Sequence, residues 1–430
     1  MMTTLPDSTN FAPAVDLARR LLDALADGTQ ADPGVTRVAY GEGECLAFRI
    51  VAEAASGFGA EIRHDPAGNM FVTIPGRVRG RHVLIGSHMD SVPHGGNFDG
   101  AAGVILGIAL QSMLVAQRSV PACDLTVVAL RAEESCWFPH SYIGSRSALG
   151  MLAPEALDRV RRSDTGLSLG EHMAALGFAP EAVRAGATLL SRDEIVAYIE
   201  PHIEQTSGLL NAGLPVGIVT GIRGSFRYRT LRCIGEYAHS GATARSDRRD
   251  AALAVARLIC AMDDYWQRQQ KDGADLTVTF GQVSTNADCH SFSKVAGEVD
   301  LCIDVRSQDE AALHAAQLAL LENIRSIEAH TGVRFILGER TGSMPALMSR
   351  RLMALLREGC AHYGVPTQNM PSGAGHDAAT FAQAGIPTAM LFIRNAHGSH
   401  NPDEAMDIGD LGRALEVMAF AIAHIGHVHE

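Results

Sequence analysis

Residues with imidazole and carboxylate side chains follow the apolar segments of this sequence that read as buried strands. The group comprises His88, Asp90, Asp99, Glu133, Glu134, His202 and His400. Open α/β sheets form their ligand sites where strands end, so these side chains can meet at one edge of a sheet. A mixture of carboxylates and imidazoles suits zinc, manganese or cobalt better than a thiolate-bound structural zinc. A single histidine usually makes an ordinary hydrogen bond, but the series at successive strand ends favours a metal centre.

A centre with two metal ions needs about five ligand side chains, one of them a carboxylate that both ions share, plus a bridging water. We assign His88 and His202 to one ion. Glu134 and His400 are assigned to the other ion, and Asp99 bridges the two. The prediction for the cofactor is therefore two divalent ions per subunit, either zinc or manganese or cobalt.

Glu133 directly precedes one of the assigned ligands. Because successive side chains point to opposite sides of an extended backbone, Glu133 points away from the direction of Glu134. We predict that it is the general base, which takes a proton from the metal-bound water and returns it to the leaving group. Asp90 lies two residues after His88 and could hold that imidazole in place as a supporting carboxylate.

The elements that must position these residues alternate between apolar strands and helices. Strands are predicted at 82–87, 125–130, 195–199 and 388–393, and helices at 11–26, 100–115 and 352–362. The helix at 100–115 occupies the crossover position between the first two strands. This rhythm predicts an α/β domain in which helices flank a mixed sheet.

A stretch in the middle of the chain has a different rhythm. It contains about four strands, three of them near 226–233, 276–283 and 297–305, and two helices, at 251–269 and 308–330. The resulting order, βαββαβ, predicts an α+β module inserted into the larger domain. The predicted boundaries are 1–222 and 338–430 for the two parts of the catalytic domain and 223–337 for the module.

Composition limits the classes of partner. The chain has 430 residues, 47% of them hydrophobic, and a formal net charge of −12, which argues against a nucleic-acid partner. No apolar stretch approaches the length of a membrane span, and Met1–Asn10 does not read as a signal peptide. The eight cysteines form no CxxC pairs and predict buried free thiols. We therefore expect a cytoplasmic protein, and we interpret His424, His427 and His429 as a solvated tail cluster.

The sequence resembles a known enzyme family over nearly its whole length. The matching blocks are VTRVAYGEGE, DPAGN, GSHMDSVPHGGNFDGAAGV, RAEESCWFPHSYIGSRSALG, EPHIEQTSGLL, HSGATARSDRRDAA, VDLCIDVR, SGAGHDAATFAQAGIPTAMLF and HGSHNPDEAM. They are similar to blocks of the hydantoinase/carbamoylase-type amidases, a branch of the dinuclear-zinc aminoacylase and carboxypeptidase superfamily. The resemblance implies the metal set assigned above, a homodimer, and a lid or dimerisation role for the inserted module.

The resemblance also implies roles outside the metal set. His239 matches a histidine that reaches the site of a neighbouring subunit and stabilises the oxyanion. Gln205 matches a residue that contacts the ureido or amide group, and His376 matches another residue on the substrate side. Arg306 matches the arginine that pairs with the substrate carboxylate, a task that suits a bidentate guanidinium. An ordinary surface partner is the alternative for Arg306.

The sequence departs from the family pattern at three positions that we expect on the substrate side. Thr206 replaces a glycine after the HIEQ block, Trp137 stands where an arginine is usual, and Ser293 replaces the asparagine that would share the substrate carboxylate with Arg306. Every metal ligand is retained. The reaction class is therefore defined more firmly than the substrate.

The function that follows is hydrolysis of a C–N bond in an N-carbamoyl-L-amino acid or a similar ureido acid, through a water that bridges the metals. An amidase with the same residues acting on an N-acyl amino acid, allantoate or 3-ureidopropionate is the first alternative. A dipeptidase of this fold is the second, and a catalytically silent binding protein is the third. Ammonia release, activity on dipeptides and any metal-dependent rate would distinguish them.

Overall fold

The computed structural model describes residues 10–425. The segment before Asn10 and the tail histidines His427 and His429, which were subjects of sequence predictions, lie outside that range. The chain divides into two compact units. The first consists of the residues up to Thr220 together with Met348–Met370 and the residues from Ala374 onward, and the second consists of Gly221–Leu347 and Pro371–Gly373. The sequence predicts the inserted module at 223–337.

Helices and strands alternate along most of the described chain. The helices are α1 (Ala12–Gly28), α2 (Glu42–Gly57), α3 (Ala101–Ala116), α4 (Ile143–Ala148), α5 (Ala156–Arg159), α6 (Leu169–Ala175), α7 (Pro180–Arg184), α8 (Gly208–Ala212), α9 (Ala251–Lys271), α10 (Glu310–Thr331), α11 (Arg350–His362), α12 (Asp377–Gln383) and α13 (Ile408–His424). The strands are β1 (Glu61–His64), β2 (Met70–Ile74), β3 (Val78–His88), β4 (Cys123–Leu130), β5 (Ile195–Ile203), β6 (Val216–Ile222), β7 (Gly224–Ile234), β8 (Ala238–His239), β9 (Thr277–Thr285), β10 (Lys294–Val295), β11 (Glu298–Ser307), β12 (Arg334–Ile336), β13 (Arg340–Ser343), β14 (Ala346–Leu347), β15 (Thr367–Ser372), β16 (Thr388–Ile393), β17 (Asn395–Ala396) and β18 (Ala405–Met406).

A mixed sheet forms the centre of the first unit. Its strands lie in the order β1-β2-β4-β3-β5-β16-β6, and β15 also pairs with β6. The four strands β4, β3, β5 and β16 are parallel to one another, whereas β2 and β6 are antiparallel to their neighbours in that group. The carboxyl ends of β3, β4 and β5 therefore meet at one edge, as the sequence predicts. Helices α3, α12 and α13 pack against these strands, which confirms the predicted fold class.

Helix α3 is buried on nearly all of its surface. Its residues from Ala101 to Leu110 are all buried, and it packs against β3, β4 and β5 and against α1 and α13. A helix that is apolar on every side is buried in a core. The packing of α3 therefore fixes the position of Asp99 and Gly100, which come just before its first turn.

The second unit is a two-layer α+β structure. Its antiparallel sheet has the order β12-β7-β11-β9, and β13 also pairs with β7. Along β11, the alternate residues Val299, Leu301, Ile303 and Val305 are buried, because one face of the strand packs against α9 and α10. The side chain of Asp250 caps α9 by accepting a 3.0 Å hydrogen bond from the backbone N–H of Leu253. The elements β7, α9, β9, β11, α10 and β12 follow the predicted order βαββαβ.

All eight cysteines lie in the described part of the chain and are free thiols. Cys233 and Cys360 are buried, as predicted, but Cys136 and Cys260 are exposed. His424 is half-buried and its ring stacks on Phe420 at 4.1 Å, so the prediction that it is a solvated tail residue is wrong. Among residues 10–425, no helix combines the length and apolar character that crossing a bilayer requires.

Candidate metal centre

The assigned ligands converge at the carboxyl ends of neighbouring strands. His88 is the last residue of β3, and His202 is the penultimate residue of β5, which runs parallel to β3. Glu134 follows the end of β4 by four residues. Asp99 lies in the loop before α3, two residues ahead of the first helical residue, and His400 lies in the loop between β17 and β18. Parallel pairing of three strands thus brings together residues that are far apart in sequence.

Asp99 contributes one carboxylate oxygen to each of two groups of donor atoms. Its Oδ1 lies 3.1 Å from Nε2 of His202 and 3.5 Å from Nε2 of His88. Its Oδ2 lies 3.4 Å from Nε2 of His400, which in turn lies 3.0 Å from Oε1 of Glu134. Within each of these two groups the donor atoms all lie within 4.8 Å of one another. A carboxylate placed between two such groups has the arrangement of a bridging ligand.

Two unsatisfied buried atoms support binding of a metal ion. Oδ1 of Asp99 and Nε2 of His202 are inaccessible to solvent, and neither makes a hydrogen bond although they approach to 3.1 Å. Buried polar atoms without partners are rare and costly in folded proteins. A divalent cation between the two atoms would satisfy both, and the imidazole and carboxylate donors suit zinc, manganese or cobalt.

Backbone carbonyls orient the two buried imidazoles. Nδ1 of His202 lies 2.8 Å from the carbonyl of Ile203, and Nδ1 of His88 lies 3.1 Å from the carbonyl of Asp90. When a carbonyl accepts from Nδ1–H, the lone pair of Nε2 is left available to a metal ion. Both rings therefore present the correct nitrogen to Asp99.

The carboxylate of Asp90 fixes the turn that carries the two glutamates. Its Oδ1 accepts a 3.0 Å hydrogen bond from the backbone N–H of Glu133, and its Oδ2 accepts one of 3.1 Å from that of Glu134. Oδ1 also lies 3.5 Å from Nδ1 of His88, which is farther than the carbonyl of the same aspartate. The imidazole of His88 is thus contacted by both the backbone carbonyl and the carboxylate of Asp90. The shorter hydrogen bonds of the Asp90 carboxylate go to the turn after β4.

Two further carboxylates that the sequence reasoning missed also fix these loops. Oε1 of Glu404 accepts hydrogen bonds of 2.7 Å from the N–H of Phe98 and 3.2 Å from that of Asp99. Oε1 of Glu44 accepts a 3.1 Å hydrogen bond from the N–H of Ala132, while its other oxygen pairs with Arg131. Glu404 is the last residue of the HGSHNPDE block that contains His400. Its place in that block is the sequence feature from which its role could have been predicted.

Gly100 is required by the geometry of the loop. Its φ of +66° is in the left-handed region, and a Cβ at this position would lie 2.5 Å from the ring of His88. A side chain here would displace the imidazole of His88, one of the candidate metal ligands.

Electrostatic contacts in the two donor groups keep Asp99 ionised. Burial alone would raise the pKa of Asp99, but contacts with His202, His400 and His88 lower it well below its usual value. Hydrogen bonds to Asp99 and Glu134 raise the pKa of His400 to about 10. Without a metal ion, these contacts therefore favour the protonated form of His400 near neutral pH.

Glu133 has the opposite environment. Burial raises its pKa well above the usual value, the imidazole of His88 opposes this shift, and the carboxylates of Glu134 and Asp377 reinforce it. A carboxyl group whose pKa is raised is suited to exchange a proton near neutral pH.

The residues predicted to contact substrate in the first unit lie beside the same centre. Nε2 of Gln205 donates a 2.8 Å hydrogen bond to Oδ2 of Asp99, so Gln205 supports the bridging carboxylate. The buried ring of His376 packs edge-on against that of His202 at 4.4 Å. Burial lowers the pKa of His376 well below its usual value, and His202 adds to the effect. His376 is therefore a neutral imidazole.

A third group of possible donors was not predicted. Glu200, His202 and His376 also lie within 4.8 Å of one another. Both oxygens of Glu200 already accept hydrogen bonds of 2.7 Å, one from the hydroxyl of Ser87 and one from the N–H of Ala378. Both oxygens of Glu200 are thus already occupied by protein donors, and we assign Glu200 a structural role.

In the second unit, Arg306 has protein partners. Its Nη2 lies 2.8 Å from Oδ2 of Asp304, and its Nη1 donates a 2.8 Å hydrogen bond to the carbonyl of Gly373. The guanidinium would need to exchange at least one of these partners to bind a substrate carboxylate. An ordinary partner for Arg306 was the alternative interpretation of the sequence.

His239 lies on the exposed two-residue strand β8, where it is paired with Lys294 of β10. Its Nδ1 accepts hydrogen bonds of 3.2 Å from the N–H groups of both Gly241 and Ala242. In the neutral imidazole the proton must then be on Nε2, which points a donor away from the loop. The backbone N–H of Ser240 donates to the carbonyl of Ser293, which places the substituted asparagine position next to this histidine loop.

Trp137 and Thr206 are the other two departures from the family pattern, and Trp137 does not lie where we expected it. It is 8% exposed, belongs to a buried apolar cluster, and its indole N–H donates a 2.7 Å hydrogen bond to the carbonyl of Ser91. The expectation that Trp137 faces the substrate is wrong, because core packing takes up the side chain. Thr206 is exposed, and its hydroxyl bonds to Glu204.

Several known proteins are similar to this chain in sequence and in fold. Residues 84–424 match peptidase family M20/M25/M40. The chain is 32% identical over 422 residues to the allantoate amidohydrolase of Escherichia coli (strain K12), covering 96% of this chain and 98% of that protein. It is also 32% identical over 412 residues to the N-carbamoyl-L-amino acid amidohydrolase of Geobacillus stearothermophilus, covering 94% and 96%. A crystal structure of an amidase of the hydantoinase/carbamoylase family from Burkholderia multivorans superposes with a TM-score of 0.85 at 26% identity, over 98% of this chain and 99% of that one.

These similarities extend over almost the full length of the chain and include both units. They confirm the resemblance to the hydantoinase/carbamoylase amidases, and they confirm the prediction of an amidohydrolase. The chain belongs to peptidase family M20/M25/M40.

Proposed function

We propose that this protein hydrolyses a C–N bond in the ureido group of an N-carbamoyl-L-amino acid or a similar ureido acid. The observation that carries the proposal is the position of Asp99 between two donor groups, one with His88 and His202 and the other with Glu134 and His400. Those five side chains would hold two divalent ions, zinc or else manganese or cobalt. When bound, such ions lower the pKa of water and polarise a carbonyl group.

Glu133 is the residue to which we assign proton transfer. Its carboxylate takes a proton from the attacking water while the water oxygen forms a bond to the carbonyl carbon. The same group gives a proton to the nitrogen as the C–N bond breaks. The overall change converts an N-carbamoyl amino acid and one water into the amino acid, ammonia and carbon dioxide. The hydrogen bonds from the N–H groups of Glu133 and Glu134 to Asp90 hold the base and a ligand in a fixed relation.

Three further side chains, those of His376, Gln205 and Arg306, are assigned to substrate recognition. His376 and Gln205 lie beside the donor groups and are available to contact the ureido group. We assign the substrate carboxylate to Arg306, which must then exchange its contact with Asp304 or Gly373. A guanidinium binds a carboxylate through two parallel hydrogen bonds, so this exchange replaces one carboxylate partner with another.

Allantoate is the second candidate substrate. The relatives in Escherichia coli and Bacillus subtilis are named allantoate amidohydrolases, and both are 32% identical to this chain, the same value as the N-carbamoyl-L-amino acid amidohydrolase. Allantoate carries two ureido groups and one carboxylate, so the same site chemistry applies to it.

We further propose that the active form is a homodimer in which the second unit provides His239 to the partner's site. The tautomer of His239 supports this role, since the proton on Nε2 can be donated to an oxyanion. A cytoplasmic location stays a prediction from the sequence.

A substrate panel tests the function. The metal-loaded enzyme would be assayed on N-carbamoyl-L-amino acids, N-acetyl-L-amino acids, allantoate, 3-ureidopropionate and dipeptides, with ammonia and amino acid measured separately. We expect release of ammonia from a ureido acid at a rate that Glu133→Gln abolishes. Cleavage of dipeptides with no ureido acid hydrolysed would contradict the proposal, and release of acetate without ammonia would assign the protein to the N-acyl amidases.

A further inference from the structure

The charged side chain of Arg37 is completely buried, with an exposed fraction of 0%. Charged side chains are almost never fully buried unless a group of opposite charge is paired with them. Among the described residues, no carboxylate forms an ion pair with Arg37. Burying a charge in this way is costly, so the guanidinium must be stabilised by other contacts.

All three nitrogen atoms of the guanidinium donate hydrogen bonds to the loops that follow β3 and precede α3. Nε donates a 2.8 Å hydrogen bond to the carbonyl of Met89. Nη1 donates one of 3.1 Å to Oδ1 of Asn97, and Nη2 donates one of 3.3 Å to the carbonyl of the same residue. Met89 directly follows His88, and Asn97 lies two residues before Asp99. The guanidinium therefore connects the two segments that carry these candidate metal ligands.

Both ends of this connection are fixed. The backbone N–H of Arg37 donates a 2.9 Å hydrogen bond to the hydroxyl of Ser91, and the backbone N–H of Ser91 donates one of 3.0 Å to the carbonyl of Arg37. Nδ2 of Asn97 donates a 2.8 Å hydrogen bond to the carbonyl of Leu22 on α1. A guanidinium is planar and its donors have fixed directions, so it defines both the distance and the orientation of the groups that it contacts.

The charges nearest to Arg37 belong to the same part of the site. Burial lowers the pKa of Arg37, and the carboxylates of Glu404, Asp90 and Asp99 oppose that shift. Their negative charge helps to stabilise the buried guanidinium at a distance. A cation beside a site for divalent ions also repels those ions, however, so its charge does not favour metal binding. Any favourable effect of Arg37 on metal binding must come from its hydrogen bonds.

We propose that Arg37 is a positioning residue for the metal centre. Its guanidinium sets the distance between the strand end that carries His88 and the loop that carries Asp99, whose Oδ1 lies 3.5 Å from Nε2 of His88. This inference rests on the proposed assignment of both residues as metal ligands. Arg37 acts through them, and we assign it no contact with the substrate.

Two variants separate the hydrogen bonds of Arg37 from its charge. Arg37→Lys keeps the charge but has one nitrogen in place of three, so it cannot bond to both loops in the same way. Arg37→Met removes the charge as well. If charge were the only contribution, the lysine variant would bind metal as the wild type does, and the methionine variant would bind it more tightly. If positioning is the contribution, both variants bind metal more weakly.

Arg162→Lys is the matched control. The guanidinium of Arg162 also donates to backbone carbonyls, those of Ala39 and Tyr40, but it contacts neither of the loops that Arg37 connects. The control therefore replaces a guanidinium that binds the same segment of the chain, and it leaves the positions of the candidate ligands unchanged.

The experiment is titration of the metal-free wild type and variants with Co²⁺, whose visible absorption spectrum reports the coordination geometry. Thermal unfolding of the metal-free proteins is measured in parallel. We expect both Arg37 variants to bind Co²⁺ at least about tenfold more weakly, as for other residues that support metal ligands. We also expect their spectra at saturation to differ from that of the wild type, and Arg162→Lys to match the wild type in both respects.

The outcomes distinguish this inference from the proposal on which it rests. Absence of Co²⁺ binding by the wild type would overturn the metal centre itself. If the wild type binds Co²⁺ and the Arg37 variants show the same affinity and spectrum, Arg37 contributes only to the fold, even when the unfolding temperature falls. Unchanged affinity of Arg37→Lys with tighter binding by Arg37→Met would likewise overturn the inference.

A further variant keeps the inference testable if the Arg37 variants do not fold. Asn97→Ala removes one of the acceptors of the guanidinium while Arg37 stays in place. It is titrated with Co²⁺ in the same way. Weaker binding with an altered spectrum supports the positioning role, and the affinity and spectrum of the wild type would overturn it.

Discussion

The carboxylate of Asp90 accepts a 3.0 Å hydrogen bond from the backbone N–H of Glu133. This contact connects the end of β3, which carries His88, to the turn after β4, which carries the proposed base. The neighbouring oxygen of Asp90 makes the corresponding hydrogen bond to Glu134. One buried side chain therefore holds the two glutamates, which we propose as base and metal ligand, in a fixed position next to the strand end that carries His88.

Replacement of Asp90 by asparagine should loosen this turn. The amide places an N–H donor opposite one of the two backbone N–H groups, so one hydrogen bond is lost and a buried donor is left unpaired, at a cost of about 1–3 kcal/mol. We expect metal affinity or turnover to fall by about 10- to 100-fold, as for other residues that support metal ligands. Metal titration and steady-state kinetics measure both quantities, and the exposed Asp23→Asn provides the control. Unchanged affinity and turnover would show that the turn holds without Asp90.

Glu133→Gln should keep both metal ions and lose activity. The residue lies beside the donor groups without belonging to either, so we expect a fall in kcat of at least about 100-fold, the usual effect of removing a general base. The matched variant Glu134→Gln should lose metal instead. Elemental analysis of both variants separates the roles. If Glu133→Gln loses metal and recovers activity in excess metal, the two glutamates have been assigned the wrong way round.

Removal of metal with a chelator should abolish hydrolysis, and Zn²⁺, Mn²⁺ or Co²⁺ should restore it. The mixed imidazole and carboxylate donors fit these ions and disfavour calcium. Activity is measured against metal content, and we expect it to reach its maximum at two ions per subunit. Full activity in a preparation shown to be free of metal would refute the proposed mechanism.

Metal binding should depend on pH in a defined direction. The pKa of His400 is raised to about 10 in the metal-free protein, so near neutral pH the ring carries a proton that a metal ion must displace. Below pH 10 the affinity for metal should therefore increase about tenfold for each unit rise in pH, for each proton released. Calorimetry in buffers with different ionisation enthalpies counts the protons. His400→Ala should release at least one fewer, and an unchanged count would contradict the assignment.

His239→Ala should bind metal normally but hydrolyse substrate poorly, since loss of one oxyanion donor costs about 3–4 kcal/mol. His314→Ala, at an exposed position of α10, is the control. Mixing His239→Ala with Glu133→Gln under conditions that exchange subunits should restore part of the activity, because one site of the mixed dimer then contains both native residues. If exchange is demonstrated and no activity returns, His239 does not act on the partner subunit.

The pattern of apolar residues along the sequence was sufficient to predict the parallel strands and the buried helix at the core of the first unit. The segment predicted at 388–393 coincides with β16, and the buried helix α3 differs from its predicted range by one residue at each end. Strand β1 was missed because most of its residues are exposed and it shows no apolar run. Strand β2, although largely buried, is only five residues long. Short strands such as these two, at and next to the edge of the sheet, owe their pairing to their neighbours more than to their own composition.

Contacts across long sequence separations could not be derived from the sequence. Glu44 is completely buried on α2, and its partner Arg131 lies 87 residues away. No periodicity relates such a pair, and only the folded structure brings them together. The same reason explains why the prediction for Trp137 failed. The family resemblance identified the substituted position, but the burial of its indole in the core depends on tertiary packing.

The candidate metal centre takes its donor atoms from residues that are spread along the chain from His88 to His400. During synthesis the last of these emerges only when most of the chain, including the whole inserted second unit, has already been made. The donor group of His88, Asp99 and His202 needs only β5 paired beside β3, whereas the group with Glu134 and His400 also needs the loop after β17. Under the proposed assignment, the second donor group would therefore be completed only after nearly the whole chain has been made, and binding of the second metal ion would have to follow the folding of that last loop.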